Sequence, residues 1–181
     1  EPERLAEIKG ISERKAMEIS SQVEEKRELR QAMIFLQKYG ISINLAVKIY
    51  HKYGTEIYSI LQENPYRLAD DIQGVGFKIA DEIASRVGIR TDSDFRIRSG
   101  IQYALQQASG EGHTYLPKEE LTKRTARLLE IEPEYIEKHY MDLAMERKII
   151  LKETKGIVKI FASSYYLMEA NTAAMLSLIH I

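Results

Sequence analysis

Apolar residues in the first half of the chain come in short bursts closed by glycines, and the bursts repeat. Leu5 and Ile8 precede Gly10, Phe35 and Leu36 precede Gly40, and Leu68 and Ile72 precede Gly74. Beyond each glycine the spacing turns helical, with alanine six residues on (Ala16, Ala46, Ala80) and isoleucine nine on (Ile19, Ile49, Ile83). Three copies agreeing at three positions form an internal repeat. Each copy predicts a short helix, a glycine that ends it in the left-handed conformation, and a second, amphipathic helix. Ser12 and Ser42 are placed to cap the second helices of the first two copies, and the alanine lets the paired helices approach closely. Between the second and third copies, Asn64-Pro65-Tyr66 predicts a turn, because the residue before proline is pushed out of helical geometry.

The pattern changes after Gly88. Ile89 to Ser93 reads as a polar linker with Ser93 or Asp94 as a helix cap, and the domain boundary is placed there. Ile97, Ile101, Ala104, Leu105 and Ala108 keep helical spacing until Gly110-Glu111-Gly112 interrupts it. His113 to Leu116 is short and β-prone, Pro117 opens a helix to about Glu130, and Pro133 opens another to about Lys148. Ile149 to Lys152 and Ile157 to Phe161 then alternate as two strands around Lys155-Gly156. Helix, short strand, two helices and a hairpin is the order of a winged helix. The expected fold is therefore mainly α: tandem hairpin repeats over residues 1–90, then a winged-helix-like α+β unit over residues 91–162. Residues 163–181 are expected to form a helix leading out of the unit.

Composition narrows the function. Hydrophobic residues make up 44% and charged residues 29% of the chain, a balance that folds. The net charge of −1 supplies no global field toward a polyanion, so any nucleic-acid contact must be local. There are no cysteines, which fits a reducing cytoplasm, and no apolar run long enough to span a membrane. The first residue is Glu1, and the chain reads as a piece of something longer.

Asp71-Ile72-Gln73-Gly74-Val75-Gly76-Phe77-Lys78-Ile79-Ala80, followed by Ile83, is similar to the helix-hairpin-helix motif. The Gly10 and Gly40 copies carry serine in place of the second glycine, and are expected to keep the hairpin without gripping DNA. At the third copy, bare main-chain amides at the start of the second helix can meet a phosphate oxygen, aided by the helix dipole. Gly74, Val75, Gly76 and Lys78 are the expected contact, sequence-independent and salt-sensitive. Gly54 to Leu68 resembles the connector of the accessory region in RecD-like DNA helicases, and Gly112-His113-Thr114-Tyr115-Leu116 resembles what those enzymes carry ahead of the motor. The resemblance implies a parent enzyme that unwinds DNA with 5′ to 3′ polarity using ATP and magnesium, in repair or recombination. It also implies that residues 163–181 lead toward motor domains, which would be a partner beside duplex, forked or single-stranded DNA.

Charge refines the second unit. Residues 132–148 carry five carboxylates against three cations, so this helix would be repelled by a groove lined with phosphates. Residues 147–159 carry Arg147, Lys148, Lys152, Lys155 and Lys159 against Glu153 alone. The unit is expected to serve first as a packing module; if it touches DNA, Lys152, Lys155 and Lys159 on the wing do it. No GxxxxGK[ST] loop exists in the chain, so it is not expected to hydrolyse ATP or hold a cofactor by itself. His51, His113, His139 and His180 are too scattered to suggest a metal site, and no nucleophile motif is present. The eleven tyrosines are expected mostly to pack in or near the core. Two rival readings stand beside the DNA-binding one: a protein-interaction scaffold of degenerate hairpins, and the DNA-tethering region of a repair nuclease.

Overall fold

Ser12 adopts an extended backbone (φ −74°, ψ 156°) and its hydroxyl accepts from the Lys15 amide at 3.3 Å, which starts helix α1 (Glu13–Gln37). Ser42 does the same for α2 (Ile43–Tyr53), accepting from the Leu45 amide at 3.4 Å. Gly76 takes this place before α5 (Phe77–Val87), extended but with no side chain to cap the helix. These helix starts belong to a computed structural model that describes residues 11–168. The first bend, at Gly10, lies outside the described residues; of the helix expected at residues 163–181, residues 163–168 are helical and residues 169–181 lie outside the described residues.

The chain divides between Gly88 and Ile89 into two units. In the first, the second helix of the first repeat and the first helix of the next are one continuous 25-residue α1, because neither glycine nor proline interrupts it. A 3₁₀ turn (Gly54–Glu56), α3 (Ile57–Glu63) and α4 (Arg67–Asp71) follow α2. Asn64 (φ −153°) leaves helical geometry ahead of Pro65 and accepts the Tyr66 amide on its side chain. Five of the six positions singled out by the repeat are core, Ala16, Ala46, Ile49, Ala80 and Ile83, buried like Leu36, Ile57, Leu61 and Leu68, whereas Ile19 of the first copy is half-buried.

The two described bends are built differently. At Gly40 (φ +78°) the glycine does end a helix, with the Ile41 amide reaching back to the Leu36 carbonyl at 3.3 Å. At the third copy, α4 ends at Asp71, three residues before Gly74. There Gly74 (φ +97°) serves a four-residue turn, Ile72 to Val75, closed by the Val75 amide on the Ile72 carbonyl at 3.0 Å. The expectation that every repeat glycine terminates the preceding helix is thus corrected for this copy.

The second unit contains α6 (Asp94–Gly110), β1 (Leu116–Pro117), α7 (Lys118–Leu129), α8 (Pro133–Glu137), α9 (His139–Met145), β2 (Ile149–Thr154) and β3 (Ile157–Ala162). The antiparallel sheet has the order β1-β3-β2, and its register sets Lys152 opposite Lys159 and Ile150 opposite Phe161. Ile97, Ile101, Leu121, Leu129, Ile136 and Leu143 form the core. A β-carbon on Gly100 of α6 would stand 2.9 Å from the Leu129 methyls of α7, so this glycine sets how closely the two helices pack.

The helix expected from Pro133 to about Lys148 is two segments. Lys138 keeps helical angles (φ −62°, ψ −22°), but the regular hydrogen-bond ladder is interrupted there. The path ends at Met145 because Arg147 turns left-handed (φ +58°), letting the Lys148 amide close on the Leu143 carbonyl at 2.9 Å.

His139, at the start of α9, is buried. Neither ring nitrogen is hydrogen-bonded among the described residues, although the Asp94 Oδ1 lies 3.3 Å from Nε2. Burial holds its pKa below the ordinary imidazole value, against the opposing pull of Asp94. The unfolded chain therefore takes up a proton, as pH falls through about 6.5, that the folded ring resists. Stability should drop between pH 7.5 and pH 5.5, and His139→Leu should make that drop smaller in urea melts. An equal drop in both proteins would assign the pH dependence to other groups.

Candidate nucleic-acid interface

The Gly74–Gly76 bend faces outward. Gly74, Gly76 and Lys78 are exposed, and a β-carbon on either glycine would meet nothing within 4 Å. Val75 between them is buried and its amide closes the turn, so it anchors the bend. Ile79 and Ala80 both donate to the Gly76 carbonyl. Among the described residues, the amides of Gly74, Gly76 and Lys78 have no acceptor on the chain. They open onto solvent at the positive end of an 11-residue helix, where an anion is favoured. Lys78 forms no ion pair among the described residues, so its ammonium adds an unspent charge at the same place.

Two tyrosine–aspartate bonds brace this bend. The Tyr53 hydroxyl of α2 donates to Asp71 at 2.5 Å, tying α4 to its neighbour, and the Tyr66 hydroxyl donates to Asp81 of α5 at 2.6 Å. Burial and the Asp71 carboxylate together push the Tyr53 hydroxyl well above its ordinary pKa. The Tyr66 ring stacks on Phe77 with centroids 6.0 Å apart. Spacing along the chain does not reveal such long-range pairs.

The Gly40 bend lacks this openness. The Arg86 guanidinium, from the last turn of α5, lies over it, and a β-carbon on Gly40 would stand 2.8 Å from Arg86 Cζ. Glu82 holds the same guanidinium at 2.6 Å.

In the second unit, Lys155 and Gly156 join β2 to β3 with φ of +54° and +76°, the mirror-image geometry of tight hairpins. Lys155 thus sits exposed at the tip in a conformation usually left to Gly, Asn or Asp. Lys152 and Lys159 face each other across the strands, their ammoniums 4.5 Å from the centroid of the Tyr166 ring and 4.6 Å from that of the Tyr115 ring. None of the three lysines has a carboxylate partner among the described residues, whereas Arg98, Lys118, Arg124 and Lys138 of the same unit do. Two of the acids counted against DNA docking are paired, Glu137 of α8 with Lys118 and Glu146, just past the end of α9, with Arg98, each at 2.6 Å. Sequence reasoning overlooked Tyr115 and Tyr166; the two-residue turn would have shown the lysines to be opposed, but nothing local marks their rings. Among the described residues, no cluster of three His, Cys, Asp or Glu could hold a metal, and no helix is long and apolar enough to cross a membrane.

An open glycine bend, its amides aimed outward from a helix start beside a free lysine in a mainly helical unit, defines a helix-hairpin-helix domain. Residues 25–115, half of the chain and inclusive of both described bends, match the family described as the ATP-dependent RecD2 DNA helicase HHH domain. The chain belongs to that family. It is also 25% identical over 134 residues to an ATP-dependent RecD2 DNA helicase of Deinococcus radiodurans, a match covering 74% of this chain and 19% of that protein.

Proposed function

We propose that this chain is the DNA-backbone-binding accessory region of an ATP-dependent DNA helicase, holding duplex or forked DNA without reading its sequence. The supporting observation is the set of outward amides on Gly74, Gly76 and Lys78 with the Lys78 ammonium beside them. On this reading the Gly10, Gly40 and Gly74 segments are tandem copies of one hairpin, and the second unit is a winged helix whose Lys152, Lys155 and Lys159 supply an auxiliary contact. The chain carries no GxxxxGK[ST] loop, and on this reading ATP and magnesium are handled by motor domains of the parent protein, in the cytoplasm. The 5′ to 3′ polarity and a role in repair or recombination follow from the family resemblance.

The test is anisotropy of the chain with a short duplex and a fork at two salt concentrations. Gly76→Val should weaken duplex binding about tenfold or more, since one charge-assisted hydrogen bond contributes roughly 1.5–3 kcal/mol. The variant should stay folded by circular dichroism, because Gly76 has an ordinary φ of −95° and open space around it. Lys78→Ala should reduce the log–log salt slope by about one. Absent binding at low salt, or binding indifferent to salt, would favour a protein-interaction scaffold. That second reading draws on the guanidinium-covered Gly40 bend and on exposed Met141 and Met145 along α9.

A further inference from the structure

We propose that the outer face of the wing is a stacking site for unpaired bases of single-stranded DNA, with Tyr115 and Tyr166 as the platforms and Lys152 and Lys159 as the phosphate contacts. The inference rests on the DNA-binding reading above and extends it to a second substrate form.

Strand alternation separates the two faces of the sheet. Ile160 and Leu116, which pair across β1 and β3, point to the core with Ile149. Lys159 and Phe161 point the other way, together with their partners Lys152 and Ile150. A surface face of so small a sheet needs no aromatic residues, yet three rings gather on this one. Phe161 lies between Tyr115 and Tyr166, at centroid distances of 5.2 and 5.3 Å. It is only 8% exposed, so the two tyrosines form its outer cover, and both are half-buried themselves.

The charges point the same way. Two like charges directly opposite on neighbouring strands repel, and sheets ordinarily avoid the arrangement. Here no carboxylate relieves it among the described residues; each ammonium instead lies over a tyrosine ring. Cations without a carboxylate partner, set against aromatic rings, are what a single strand requires: positive charge for the backbone and, once the ammoniums swing onto phosphates, π-faces for the bases. A duplex offers this face only phosphates, because its bases are stacked on one another, so the aromatic part of the site selects an unpaired strand. Lys155, held left-handed at the hairpin tip, extends the cationic edge along the strand's path.

The probes are a twelve-nucleotide oligo(dT), an abasic oligomer of equal length, and a duplex, each titrated into the full chain. Wild type should bind oligo(dT) more tightly than the abasic strand. The Tyr115→Leu and Tyr166→Leu double variant should lose about tenfold in oligo(dT) affinity, keep its duplex affinity, and keep its salt slope. The Tyr→Phe pair should retain oligo(dT) binding, since the rings remain. Lys152→Ala with Lys159→Ala should lower both affinity and salt slope for oligo(dT). Equal binding of abasic and thymidine strands, or oligo(dT) affinity unchanged in the leucine variant, overturns the stacking site while leaving Gly76-dependent duplex binding intact. Failure of every DNA to bind wild type overturns both readings. Should the leucine variant misfold, the comparison of abasic with thymidine strands on wild type still decides the matter.

Discussion

Leu68→Ala should cost the first unit about 2–5 kcal/mol, the range for truncating a fully buried leucine. Leu68 is completely buried on α4, a helix of five residues that has too few internal hydrogen bonds to form alone. Packing therefore holds α4 in place, and α4 feeds the turn at Ile72 to Val75. The substitution should lower the urea midpoint and also weaken duplex binding, because the bend loses its support before any contacting group is changed. A midpoint shift worth less than about 1 kcal/mol would mean that the Tyr53–Asp71 and Tyr66–Asp81 bonds, rather than apolar burial, fix this segment.

The second large effect is expected at Gly74. Its φ of +97° is closed to β-branched residues, so Gly74→Val should destabilise the unit by about 1–3 kcal/mol and should also push a side chain into the space a phosphate would occupy. Gly76→Val differs because its backbone is ordinary. The first variant should lose stability and affinity together, the second chiefly affinity. If both lose duplex binding only in proportion to stability, the bend is a structural turn and the contact lies elsewhere.

Local rules carried the sequence reading a long way. The alanines and isoleucines of the second and third copies are buried because a helix face recurs at fixed spacing, and serine at the cap has the same use in both Ser12 and Ser42. Lys155-Gly156 was readable as a hairpin because few residue pairs suit a two-residue turn. What escaped depended on distant partners. The Arg86 guanidinium over Gly40 distinguishes the closed bend from the open one, and it arrives from another repeat. The rings over Lys152 and Lys159 come from outside the hairpin that carries the lysines. The break at Lys138 falls where apolar periodicity continues undisturbed, so the pattern read as a single helix.

One helix serves both described bends. α5 starts at Gly76 and finishes with Arg86 pressed on Gly40, its eleven residues spanning about 16 Å. Were a DNA strand held at its amino end, tension on that strand would run down the axis and be borne at the other turn through a guanidinium. The closed hairpin, with no grip of its own, would be the abutment against which the open one pulls.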